Sequence, residues 1–94
     1  MFVPTSNPGN TLLQADGIIQ HLDTVKRELR IVVTATAMCF DVPSDCAVIL
    51  NGERVKLRLL QPTDRVTVFY LTGPRGLHTA RRVVAQPGNL FPTS

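Results

Sequence analysis

Asn51-Gly52 and Gln61-Pro62-Thr63-Asp64 punctuate the middle of the chain, and the run Arg65-Val66-Thr67-Val68-Phe69-Tyr70-Leu71 follows the second of them. Asn and Gly both tolerate positive φ, so residues 51–52 predict a tight reversal. Pro62 fixes φ, and Asp64 is placed to accept from nearby backbone amides, so residues 61–64 predict a second. Val66, Val68 and Tyr70 are two apart and share one face of a strand. Two reversals this close together leave no room for a long helix. They point to a small β-fold, with Leu57 and Leu60 plugging one end of its core.

The rest of the chain agrees. Gly17-Ile18-Ile19-Gln20-His21-Leu22 is β-rich, and Gly17 argues against the competing helix over 11–22. Asp23 to Glu28 is polar and fits a hairpin connection. Leu29 to Cys39 is dense in β-branched residues that crowd a helix. Its alternate set Ile31, Val33, Ala35 and Ala37 is expected to point inward, with a break near 35–37. Residues 38–42 form a further short strand. Pro43-Ser44-Asp45 is expected to turn it into a hairpin with 46–50, setting Cys39 opposite Val48. A short strand at 54–57 and a turn at 58–61 come next. In Leu77 to Ala85 the inward residues Ala80 and Val83 are three apart, which predicts a β-bulge at Arg81-Arg82.

Five or six short strands close into a barrel and so remove exposed edges. The fold expected is all-β: a small five- or six-stranded OB-like barrel. Its domain spans residues 11–86, between a flexible arm at 1–10 and a flexible tail at 87–94, both rich in Pro, Gly and Asn. Phe2 and Phe91 in these arms are candidates for docking on the body or on a partner. The expected core is Ile18, Ile31, Val33, Phe40, Val48, Leu57, Leu60, Val66, Val68, Ala80 and Val83. With 94 residues, of which 44 % are hydrophobic and five aromatic, branched aliphatics must fill most of it.

The motifs Gly-Ile-Ile-x-x-Leu-Asp, Phe-Asp-Val-Pro-x-Asp-Cys and Leu-x-x-Leu-x-Pro-x-Asp-Arg-Val-x-Val, ending in Ala-Arg-Arg-Val, resemble the small OB-like barrel domains of uncharacterised bacterial proteins. The likeness covers residues 16–86 and implies a fold without an activity. The segment Gly73-Pro74-Arg75-Gly76-Leu77-His78-Thr79-Ala80-Arg81-Arg82-Val83 is similar to the last two strands of a cold-shock domain. Cold-shock domains place aromatics for base stacking on two neighbouring strands, where this chain has only Phe40.

Charge divides the chain. Residues 1–50 carry three Lys/Arg against five Asp/Glu, whereas residues 51–94 carry seven against two, within a formal net charge of +3. Such a basic half suits either a solvated surface or a polyanion partner. Lys56, Arg58, Arg75, His78, Arg81 and Arg82 are the candidate nucleic-acid contacts, if they share one face.

No catalytic set is visible, so no enzyme activity is expected. The two cysteines, Cys39 and Cys46, have the wrong spacing for zinc and lack a second ligand pair. They read as free thiols, and His21 and His78 as ordinary strand or surface residues. Asp41 and Asp45 read as capping and turn residues. No cofactor, metal or catalytic residue is expected. Met1-Phe2-Val3 runs straight into Pro4 with no long apolar stretch, so no signal peptide and a cytoplasmic location are expected. A chain from which a leader has been removed reads the same way. No segment reaches the roughly 20 apolar residues of a membrane span. Two functions remain. One is a non-enzymatic interaction module that binds a protein partner, or itself as a homo-oligomer, through a strand edge. The alternative is a weak, sequence-tolerant binder of single-stranded nucleic acid through a basic face.

Overall fold

The computed structural model describes residues 12–86, so the arm at 1–10 and the tail at 87–94, with Phe2 and Phe91, lie outside the described residues. Seven strands form in the order β1 Leu13–Asp23, β2 Glu28–Val33, β3 Thr36–Asp41, β4 Ala47–Leu50, β5 Glu53–Arg54, β6 Arg65–Thr72 and β7 His78–Gln86. Single 3-10 turns at Leu57–Leu59 and Pro74–Gly76 are the only helical pieces among the described residues. The sheet order is β3-β2-β1-β6-β7-β4-β5. A parallel bridge, Asp41 to Thr79, joins β3 to β7 and closes the first five strands into a barrel. The β4–β5 hairpin lies outside that ring, with β4 running parallel to β7. The fold is an all-β, five-stranded closed barrel with two outer strands.

Strand β1 is long because it serves two neighbours. Residues Leu13–Ile18 pair with β6, and Ile18–Asp23 pair with β2. The strand bends where these duties change hands, and Gly17 sits there. A Cβ on Gly17 would lie 2.4 Å from the Val32 carbonyl oxygen. Gln20 is the extra residue of a bulge between Ile19 and His21. On this strand Ala15 and Ile19 face the core. Ile18, expected inside, is instead 47 % exposed, whereas Ile19 is 2 % exposed.

The turns follow local chemistry. Asp23 Oδ1 accepts from the amides of Val25 (3.0 Å) and Lys26 (2.9 Å), ordering the β1–β2 connection. Asn51 and Gly52 both have positive φ, 54° and 86°. Gln61 N donates to Asp64 Oδ2 at 2.9 Å, as the Gln-Pro-Thr-Asp sequence implies. The break in the Leu29–Cys39 run is a two-residue turn at Thr34-Ala35, with Thr34 at φ 57°. It leaves Ala35 and Ala37 exposed, contrary to expectation. The β7 bulge is where the spacing placed it. Phe69 faces Arg82 and Tyr70 faces Ala80, so Arg81 is the unpaired residue. This allows Ala80 and Val83 both to be fully buried.

One hairpin expected from the sequence does not form. Strand β3 leaves the sheet at Val42, whose amide donates to the Arg27 carbonyl at 2.9 Å, and β4 pairs with β7 instead. Cys39 therefore faces Arg30 and not Val48. The core otherwise contains the expected residues, joined by Ala15, Leu29, Val42, Cys46, Tyr70 and Ala85, with Val33 half-buried against it.

Candidate metal centre at the barrel seam

The β3–β7 seam is the weakest join of the ring. Its single bridge at Asp41–Thr79 contrasts with the eight residue pairs of β6–β7. Strands that meet at one bridge leave space beside it. Here that space is a shallow cavity of about 170 Å³ lined by Glu28, Cys39, Phe40, Asp41, Leu77 and His78. Cys39 reaches it from the middle of β3, and His78 from the first residue of β7.

Each of these two side chains is held in place. Arg30, directly across β2 from Cys39, donates from Nε to the Cys39 sulfur at 3.3 Å. That hydrogen bond, together with the electrostatic attraction to Cys39, pushes the Arg30 guanidinium above its usual range. Cys39 is exposed. The His78 ring packs against Tyr70, with centroids 5.0 Å apart, and Phe40, at 5.7 Å. His78 Nδ1 and Thr72 Oγ1 are 3.0 Å apart, which leaves Nε2 outside that contact. Phe40 and Tyr70 themselves stack edge-on at 4.9 Å.

The second thiol lies elsewhere. Cys46 is buried, its Sγ is 3.6 Å from the Ala47 carbonyl, and burial pushes its pKa up. Both cysteines are free. Cys46 forms part of the floor of a larger cavity, about 390 Å³, between the β1–β2 turn and the segment Arg54–Arg58.

The six sequence-predicted contact residues do not line one site. Lys56 and Arg58 border the larger cavity. His78 lines the seam. Arg75 occupies the Pro74–Gly76 turn at φ 68°. Arg81 lies 3.8 Å from Asp45, which is thus an ion-pair partner, and Arg82 faces Phe69. That Cys39 and His78 line one cavity was not legible in the sequence, because Cys39 was expected in a different hairpin. The two residues are 39 positions apart, and only barrel closure brings them to one cavity.

No family model matches the chain, and no curated protein sequence matches it. Solved structures do share its fold. Apo-CusF from Escherichia coli superposes with a TM-score of 0.61 at 12 % identity, covering 87 % of this chain and 95 % of that one. CusF-Ag(I) from the same organism gives 0.59 at 12 % identity, covering 78 % and 89 %. A tryptophan-to-alanine variant of CusF with Cu(II) gives 0.56 at 13 % identity, covering 83 % and 92 %. The class this defines is the small OB-like barrel, and the particular likeness is to CusF.

These neighbours correct the functional expectation. Of these three barrels, one was solved with Ag(I), one with Cu(II) and one as the apo protein. The interior agrees as regards nucleic acid. Phe40 and Tyr70 are buried at 1 % and 8 % exposure and offer no open platform for stacked bases. The strand-edge interaction module and the single-stranded nucleic-acid binder are both set aside.

Proposed function

We propose that this barrel is a non-catalytic binder of one soft monovalent metal ion, Cu(I) or Ag(I), at the β3–β7 seam. The Cys39 sulfur is the principal ligand and the His78 imidazole the second. The observation that carries this reading is the presence of an exposed thiol and an imidazole on one cavity of a CusF-like barrel.

The donor set also limits which ion fits. Among the described residues, no three His, Cys, Asp or Glu side chains are grouped so as to hold a metal ion. A tetrahedral zinc site or an oxygen-rich calcium site therefore lacks its ligands. Soft sulfur donors select Cu(I), imidazole also suits copper, and a monovalent d10 ion accepts low coordination numbers. Arg30 holds the sulfur in position, as partners of ligands do in metal sites generally.

The test is anaerobic competition for Cu(I) against a chromophoric chelator. Wild-type protein is expected to take one ion per chain. Cys39→Ser is expected to abolish that binding, and His78→Ala to weaken it. Cys46→Ala is expected to retain it, because that thiol is buried away from the seam. Binding that survives Cys39→Ser, or that disappears only with Cys46→Ala, overturns the assignment. Because the sulfur must lose its proton to bind, affinity should also fall as the pH is lowered.

A further inference from the structure

The larger cavity has a composition that the seam does not explain. Arg27, Arg54, Lys56 and Arg58 line it, with the hydroxyls of Thr24 and Ser44, and none of its lining residues is acidic. Among the described residues, none of these four cations has an ion pair; the one ion pair there joins Arg81 to Asp45. Four like charges around one concavity repel each other, and nothing of opposite sign within it offsets this. Three distant segments contribute: the β1–β2 turn, the turn after β3, and the stretch from β5 into the Leu57–Leu59 turn.

One of the four is fixed in advance. Arg27 Nε donates to the Val42 carbonyl at 2.8 Å, and its Nη2 to the Pro43 carbonyl at 3.3 Å. Those bonds hold the guanidinium half-buried at the wall and leave its remaining N–H groups uncommitted. Apolar side chains, Val48 and Leu57 among them, form the floor and lower the local dielectric beneath the charges.

We propose that this cavity binds a soluble small molecule bearing two adjacent phosphate groups. Guanidinium forks match phosphate oxygens in pairs, and three arginines with one lysine can neutralise a diphosphate. The two hydroxyls add neutral donors to the same oxygens. At about 390 Å³ the cavity has room for more than one phosphate. This site is separate from the seam and does not rest on metal binding there.

Calorimetric titration of the full chain with inorganic pyrophosphate tests it, with inorganic phosphate and anionic phospholipid vesicles as parallel arms. Pyrophosphate is expected to bind at one per chain, more tightly than phosphate, and with an affinity that falls as salt rises. Lys56→Ala and Arg58→Ala, both at exposed positions, should each weaken it about tenfold. Arg82→Ala, outside the cavity, and Cys39→Ser, at the seam, should leave it unchanged. Three results overturn the proposal. They are absence of pyrophosphate binding, an equal loss with Arg82→Ala as diffuse charge would give, and binding to vesicles without any response to pyrophosphate.

Discussion

Gly17 and Asp23 show how single residues set the path of β1. At Gly17 the neighbouring strand comes so close that a methyl group would press on the Val32 carbonyl at 2.4 Å. Gly17→Ala should therefore cost about 1–3 kcal/mol by overpacking, read from chemical denaturation. Asp23 acts through charge. The Lys26 amide, with that of Val25, donates to its carboxylate and holds Asp23 below the usual carboxylate range, against the desolvation that opposes it. A depressed folded-state pKa stabilises the fold above the unfolded pKa, and that contribution is lost as pH falls through the folded value. Asp23→Ala should lower the thermal midpoint at neutral pH, and its deficit relative to wild type should close under acid. A deficit that is the same at both pH values would mean that the carboxylate charge contributes nothing. In the sequence Gly17 argues only against a helix, and Asp23 is only the first residue of a polar hairpin connection, so neither role just described is read from it. It put Ile18 in the core and left Ile19 out, the reverse of what forms. Both are equally apolar neighbours, and the choice depends on where β1 passes from β6 to β2.

At the scale of elements, what was legible is what local spacing encodes. Ala80 and Val83 cannot both face inward on a regular strand, and the bulge at Arg81 resolves this. Deleting Arg81 should leave Ala80 and Val83 two apart on a regular strand, both facing inward, with Tyr70 still opposite Ala80 and Phe69 still opposite Arg82. The expected result is retained β6–β7 pairing with only a small change of stability in denaturant. A large loss would show that the barrel needs the bulge itself and not only the spacing that it corrects. The Pro43-Ser44 turn illustrates the opposite case. Its residues do favour a reversal, and Cys46 N bonds the Pro43 carbonyl at 3.0 Å. Which strand the chain joins after that reversal is a long-range matter. Strand β4 pairs in parallel with β7, more than thirty residues further along, and no dipeptide signal reports a parallel partner.

For the molecule as a whole, the barrel rests on a core in which Val68 is fully buried at the centre of β6. Val68→Ala should cost about 1–3 kcal/mol in chemical denaturation, and a change within error would mean that this face does not carry the core. All-β architecture was legible because turn residues recur every few positions between β-branched runs. The candidate metal centre was not, because Cys39 and His78 come together only when β3 and β7 close the ring. Closure is thus the step that sets Cys39 and His78 on one cavity. Its most direct test is a two-dimensional amide NMR titration of the full chain with Ag(I). Saturation is expected at one equivalent, with the largest shifts at Cys39, Phe40, Leu77 and His78 on the two sides of the seam. Shifts centred on Cys46, or none at all, would contradict it.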